Sequence, residues 1–124
     1  MLPKVNRLRH WRDFQTVYQK GIRRRGNYLT IRALRRSIAA PVPTRMAISV
    51  SRKVSKHAVT RNRIERQIRA ALRHLLPQIS PGWDCIIVVK PTDEACNYGQ
   101  FLQELKQLLA QAEVLNGHSR GKLL

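Results

Sequence analysis

Hydrophobic residues recur at helical spacing in three segments of the chain. The first covers residues 10–20 and ends at Gly21, a residue that often stops a helix. The second covers residues 55–76, and Pro77 after it cannot continue a helix. The third covers residues 98–115 and carries an almost continuous stripe of Leu and Phe. The pattern therefore predicts three helices, each with an apolar face.

Three other segments have strand patterns. Residues 28–34 are rich in aromatic and β-branched side chains, and residues 46–51 alternate larger apolar residues with small ones. Residues 83–90 contain an unbroken apolar run, which is typical of a central strand covered on both faces. We expect the first two to be neighbouring antiparallel strands, joined by a loop around residues 39–43 in which we find no functional pattern.

The net charge restricts the possible functions of the chain more than its hydropathy pattern does. The 124 residues include 24 Lys and Arg but only 7 Asp and Glu, for a net charge of +17. Twenty of the basic residues lie in residues 1–76, which hold only two acids. Such a surface needs a polyanionic partner, either nucleic acid or an anionic membrane. Arg outnumbers Lys, which favours RNA because the planar guanidinium both forks onto phosphates and stacks on bases.

The length fits one domain, and we expect a single RNA-binding domain over residues 1–115 with a disordered tail at 116–124. Cys85 and Cys96 lack the spacing of a zinc site or a disulfide framework, which is typical of a protein of the reducing cytosol. No segment approaches the roughly 20 apolar residues of a membrane span. We therefore expect a soluble, cytoplasmic protein without membrane contact and without an obligate protein partner.

The second predicted helix has one apolar and one basic face. The apolar face comprises Ile64, Ile68, Ala71, Leu72 and Leu75. The opposite face comprises Asn62, Arg66, Arg69 and Arg73, with Arg61 and Arg63 at its N-terminal end. A face that is merely solvated mixes both signs of charge, whereas this one has a single acid, Glu65. The pattern predicts a ridge that binds a phosphate backbone.

These residues resemble a known family. The triplet Arg61-Asn62-Arg63, followed by Ile64, Arg66, Ile68 and Arg69, is similar to the signature of the protein component of bacterial ribonuclease P. The resemblance continues in the same order over roughly residues 4–115. The further matching segments are residues 6–8, 13–14, 49–53, 58–59 and 90–91.

The resemblance implies an α+β fold, a two-layer α/β sandwich in which a four-stranded sheet and three helices pack around one core. It also implies that the Arg-rich helix lies in a left-handed β-α-β crossover. Most such crossovers are right-handed, so hydropathy alone does not lead to this expectation.

For function, the resemblance implies that a large catalytic RNA cuts precursor tRNA at its mature 5′ end using Mg²⁺, with the protein as accessory subunit. The chain itself would then hold neither catalytic residues nor a metal. The residues implied to contact the catalytic RNA are Arg61, Asn62, Arg63, Arg66 and Arg69, extended by Arg52, Lys53 and Lys56.

A second site is implied in a cleft between the first helix and the sheet, where the single-stranded 5′ leader of the substrate binds. Phe14, Tyr18 and Tyr28 occupy its aromatic positions, and Arg12 supplies charge nearby. Spacing alone favours core packing for Phe14, and we interpret Trp11 as a packing residue. The basic run at residues 23–25 has two interpretations, an RNA contact or a solvated loop.

The chain departs from the family pattern at two positions. Glu65 stands where a basic residue is usual, and Ala70 where an acid is common. An RNA contact at position 65 is therefore open. Glu65 has the spacing to pair with Arg61 or Arg69 instead.

Other function classes fit less well. A protein-only nuclease needs clustered carboxylates or a pair of histidines, but Asp13, Asp84, Asp93 and Glu94 are scattered over different elements. The chain lacks the second recognition helix that a DNA-binding helix module needs. It also lacks the exposed bulky apolar residues with which a membrane-surface protein contacts lipid. A ribosomal or RNA-chaperone type basic protein remains the alternative.

Overall fold

A computed structural model describes residues 2–36, 42–92 and 96–115. Its elements, in chain order, are α1 (Trp11–Lys20), β1 (Ile22–Arg25), β2 (Leu29–Arg35), β3 (Arg45–Ser49), α2 (Ala58–Leu75), β4 (Trp83–Val89) and α3 (Tyr98–Gln111). Three predicted helices and three predicted strands are thus confirmed, with boundaries that shift by a few residues. The predicted tail at 116–124 and most of the predicted loop at 39–43 lie outside the described residues.

The four strands form one mixed sheet in the order β1-β2-β4-β3. β4 pairs antiparallel with β2 and parallel with β3. The prediction that β2 and β3 are neighbours is therefore wrong, because β4 lies between them. Its apolar run is the reason: a strand buried on both faces is most stable with a paired strand on each side.

The connection from β3 through α2 to β4 joins two parallel strands, as the resemblance implies for the Arg-rich helix. This crossover, the sheet and the three helices confirm the predicted α+β class. The left-handed sense of the crossover stays a prediction. No helix within the described ranges is long and apolar enough to cross a membrane.

The basic run at residues 23–25 belongs to β1, not to a solvated loop. β1 pairs antiparallel with β2 at the edge of the sheet, where charged side chains are common. The turn after β1 is braced from α3: the Glu104 carboxylate accepts hydrogen bonds from the backbone N–H groups of Asn27, Tyr28 and Leu29 at 2.7, 2.8 and 2.6 Å. Gly26 lies against that carboxylate, so a Cβ at position 26 would force the Glu104 side chain to shift and would disturb these hydrogen bonds.

Helices cover both faces of the sheet, so the hydrophobic residues form two clusters where a single core was expected. The larger cluster lies between the sheet and the pair α2 and α3, and the smaller one lies beneath α1 around Leu8, Val17 and Ile86. Alternation along β4 explains this division: Ile87 faces the larger cluster, while Ile86 faces α1. The predicted two-layer sandwich thus gains α1 as a third layer.

A network of charges fixes α1 on the sheet. The Arg45 guanidinium donates two hydrogen bonds, at 2.9 and 2.7 Å, to the carboxylate of the buried Asp84, and it also lies 3.2 Å from an Asp13 oxygen on α1. The hydrogen bonds with Asp84 raise the pKa of Arg45 above its ordinary value. Arg36 adds a second cation, 3.1 Å from Asp84. These pairs connect β3, β4 and α1, and so hold α1 against the sheet.

Candidate nucleic-acid interface

The basic ridge of α2 forms as the sequence predicts. Ile68, Ala71, Leu72 and Leu75 are buried against the sheet and α3, and this burial fixes the rotation of the helix about its axis. The opposite side consequently faces solvent. Asn62, Arg63, Arg66 and Arg73 are exposed along it.

Two arginines of the predicted set are held by contacts within the protein. Arg69 lies 2.6 Å from a Glu65 oxygen, which is the i,i+4 pair foreseen as one alternative for Glu65. Arg61 donates a hydrogen bond of 2.9 Å to the backbone oxygen of Ser55, just before the helix begins. The predicted ridge therefore contains exposed cations at Arg63, Arg66 and Arg73, while Arg61 also stabilises the start of α2.

Three further cations of the predicted site lie in the connection between β3 and α2. Arg52, Lys53 and Lys56 are all exposed there. They precede the N-terminal end of α2, where backbone N–H groups and the helix dipole add positive potential. The structure thus places this loop and the ridge side by side in one basic surface.

A second basic surface lies between α1 and the sheet, in a cavity of about 370 Å³ that we call the α1 cleft. Its walls come from four elements, α1, β1, β2 and β4. The lining residues are Tyr18, Arg23, Arg25, Thr30, Arg32, Val88 and Lys90. Four of these seven are cations, so the cleft attracts a polyanion.

Tyr18 and Arg32 form the centre of the α1 cleft. The Arg32 guanidinium lies 4.9 Å from the centroid of the Tyr18 ring and donates a hydrogen bond of 3.0 Å to the Tyr18 backbone oxygen. Tyr18 remains 42% exposed. Unpaired bases stack both on aromatic rings and on guanidinium planes. The pair therefore offers a stacking surface surrounded by phosphate-binding cations.

The other predicted cleft residues are distributed differently. Phe14 is half-buried and packs against the cluster beneath α1, so it mainly holds the helix in place. Tyr28 is not brought together with Tyr18: it packs against the larger cluster, towards α2 and α3. Arg12 lies more than one helical turn from Tyr18, with its guanidinium 5.6 Å from the Trp11 ring centroid. Trp11 is 61% exposed, so its interpretation as a packing residue is wrong.

Sequence reasoning missed the sheet side of the cleft. Arg32 sits in the middle of β2, where its neighbours Ile31 and Ala33 are buried on the other face. A cation at a strand centre indicates that one face of the strand is open at that point, and this signal was available. The sequence connects Lys90 with the family pattern but not with a cleft. Its place in the cleft depends on the pairing of β2 with β4.

The described residues show no group of three His, Cys, Asp or Glu that could hold a metal ion. The two cysteines are both unpaired thiols. Burial raises the pKa of the Cys85 thiol far above its usual range, and burial together with the charge of Glu104 raises the pKa of Cys96 to about 11. Neither thiol is activated as a nucleophile at neutral pH.

Comparison with known proteins gives one consistent family. The family model described as Ribonuclease P matches residues 2–113. The ribonuclease P protein component of Picosynechococcus is 56% identical over 117 residues, covering 94% of this chain and 98% of that relative. The corresponding Synechocystis protein is 52% identical over 124 residues, covering 99% of this chain and 98% of the relative.

Solved structures give the same fold. The RNase P protein of Staphylococcus aureus is similar with a TM-score of 0.78 and 27% identity, covering 91% of this chain and all of that one. The RNase P protein of Thermotoga maritima has a TM-score of 0.73 at 24% identity, over 85% of this chain and 96% of that one. The second likeness supports the fold alone.

Proposed function

The chain belongs to the ribonuclease P protein family, and from that premise we propose how its two basic surfaces serve tRNA maturation. It is a protein component of ribonuclease P and acts in tRNA processing as part of an endoribonuclease. Its proposed tasks are to bind the catalytic RNA and to hold the 5′ leader of precursor tRNA during removal of that leader. Family membership leaves the alternative, a ribosomal or RNA-chaperone protein, without support.

The surface of α2 and the preceding loop binds the catalytic RNA in this proposal. Exposed cations at Arg52, Lys53, Lys56, Arg63 and Arg66 lie within one stretch of chain. Contacts of this kind go to the phosphate backbone and fix the protein's position without reading sequence. Binding should therefore weaken steeply as salt rises.

The α1 cleft binds the 5′ leader. The observation that carries this assignment is the Arg32 guanidinium stacked at 4.9 Å on the Tyr18 ring, with Arg23, Arg25 and Lys90 lining the same cavity. Stacking tolerates any base, and the cations follow the backbone. A site of this type suits a protein that must accept leaders of many sequences.

The cleavage itself is assigned to the RNA. Hydrolysis of a phosphodiester by a protein needs carboxylates that hold metal ions or a suitable acid–base pair. Four of the five described acids are engaged otherwise: Asp13 and Asp84 with Arg45, Glu65 with Arg69, and Glu104 with the turn after β1. These residues do not fit a Mg²⁺ site, and we propose that the RNA holds the Mg²⁺.

The direct test is 5′ processing of precursor tRNA by a bacterial ribonuclease P RNA at low Mg²⁺, with and without the chain. We expect the chain to stimulate cleavage at the mature 5′ end and to cleave nothing alone. Binding to the RNA without stimulation would favour a general RNA-binding role, and cleavage by the RNA-free chain would refute the assignment of chemistry to the RNA.

The cleft has its own test, Tyr18→Leu, which removes the ring but keeps an apolar residue in the helix. In the assembled particle it should weaken binding of precursor tRNA by about 1 to 3 kcal/mol, the contribution of one base stack, and leave mature tRNA unaffected. Tyr98→Leu is the matched control, since Tyr98 is also exposed but lies on α3. Equal losses for precursor and mature tRNA would contradict a leader site in the cleft.

A further inference from the structure

A second cavity lies on the face of the sheet opposite the α1 cleft. It has a volume of about 560 Å³ and opens between the N-terminal half of α2, the start of α3 and the ends of β2 and β4. Pockets that bind small organic ligands usually measure roughly 300 to 1,000 Å³. We call this cavity the α2–α3 pocket. Its volume is sufficient for one nucleotide.

The α2–α3 pocket has an apolar floor and polar walls. Ile64, Val89 and Phe101 give an apolar floor, and the Tyr28 ring lies beside them. Polar groups come from Thr60, Gln67 and Asn97, which can bond to the edge of a planar heterocycle. An apolar floor with an aromatic ring and hydrogen-bonding walls is what an unpaired base requires.

The pocket also contains a cation of its own. Arg63 is exposed at its wall on α2. Lys90 lines this pocket as well as the α1 cleft, and its ammonium group donates a hydrogen bond of 3.0 Å to the Gly26 backbone oxygen. A cavity for a neutral apolar molecule gains nothing from an arginine, whereas a phosphate attached to the bound base accounts for it.

We infer that the α2–α3 pocket binds one unpaired nucleotide of the catalytic RNA, with the base against Tyr28 and the apolar floor and the phosphate at Arg63. This inference rests on the proposed function, because it needs RNA at the α2 surface. The catalytic RNA is the source, since Arg63 belongs to that surface, whereas the proposed leader site lies across the sheet. The pocket would convert a sequence-tolerant phosphate contact into a fixed register between protein and RNA.

A native reporter allows the inference to be tested in the full chain. Of the two cysteines, Cys85 is completely buried, whereas Cys96 is half-buried and lines the α2–α3 pocket. Alkylation of Cys96 by iodoacetamide, followed by mass spectrometry at one alkaline pH, measures access to the pocket. Ribonuclease P RNA should slow this alkylation about tenfold, and subsequent addition of precursor tRNA should change it no further.

Formation of the complex is measured in parallel by a binding titration. A complex that leaves the alkylation rate of Cys96 unchanged would overturn the inference while the proposed function stands. Protection that appears only with precursor tRNA would also overturn it, because the substrate would then be the source. Failure to form any complex would overturn the proposed function, and the inference with it.

A variant that fills the pocket distinguishes a nucleotide bound inside it from RNA that only covers its opening. Gln67→Phe introduces a ring into the cavity, and Gln103→Phe places the same ring on the exposed side of α3 as a control. Gln67→Phe should weaken RNA binding about tenfold, or by about 1.4 kcal/mol. Gln103→Phe should bind the RNA as tightly as the unmodified chain does. Thr60→Leu is a smaller filling change that serves if Gln67→Phe does not fold. Unchanged affinity in a folded filling variant would overturn the inference.

Discussion

Arg66 gives the sharpest test of the basic ridge, because its side chain is exposed midway along α2 and contributes nothing to the core. Arg66→Gln keeps a good helix former and removes one positive charge. Each phosphate contact contributes about 0.7 to 0.9 to the slope of log affinity against log salt. We expect the slope for ribonuclease P RNA to flatten by that amount. Extrapolated from 1 M salt, the loss of affinity at 0.1 M is then about five- to eightfold.

The matched control is Lys106→Gln, which removes one exposed cation from α3 and lowers the net charge equally. Both variants are titrated with the RNA over a series of salt concentrations, after circular dichroism has verified the fold. The control should leave the slope nearly unchanged. If both variants flatten the slope equally, affinity follows from the overall charge of +17 and the ridge makes no specific contact.

Four further outcomes are expected. Glu65→Gln releases Arg69 from its 2.6 Å ion pair, so RNA affinity should rise by a few fold in the same titration, whereas a loss would indicate that the pair positions Arg69. Glu104→Gln places an amide donor against backbone N–H groups, so the free energy of unfolding measured in urea should fall by about 3 kcal/mol. An unchanged free energy of unfolding would show that Glu104 does not stabilise the turn. Cys96 alkylation should accelerate about tenfold per pH unit up to its pKa of about 11, since only the thiolate reacts, and a plateau near pH 9 would contradict that raised pKa. Trp11→Ala should change stability by less than about 0.5 kcal/mol, and a large drop in Tm would contradict its exposure.

Periodicity predicts the helices and the central strand because it reports burial directly. The apolar positions of α2, from Ile68 to Leu75, are spaced so that only one rotation of the helix buries them all. The basic ridge follows from the same spacing, since it is a property of one helix. The exposure of the ridge residues was therefore predictable, whereas the contacts that hold Arg61 and Arg69 depend on particular partners.

Strand order and the α1 cleft depend on contacts between distant segments, which periodicity does not report. β1 has no apolar alternation, and its turn is held by Glu104, 75 to 77 residues further along the chain. The cleft joins Tyr18 to Arg32 only because β2 lies beside β4 beneath α1. Tyr28 was predicted to line the same cleft, but it faces the other side of the sheet, towards α2 and α3. Its position in the sequence does not report which face of the sheet it takes.

The brace from Glu104 to the turn after β1 has a consequence for the order of events during synthesis. A ribosome releases the N-terminal hairpin long before α3, and domains complete their folding only when such distant partners have emerged. Until α3 docks, the N–H groups of residues 27–29 remain bonded to water and the wall formed by β1 is not fixed. The Arg-rich helix depends on the same late element, because its apolar face is buried partly against α3. Both basic surfaces of a nascent chain are therefore completed only after α3 has emerged.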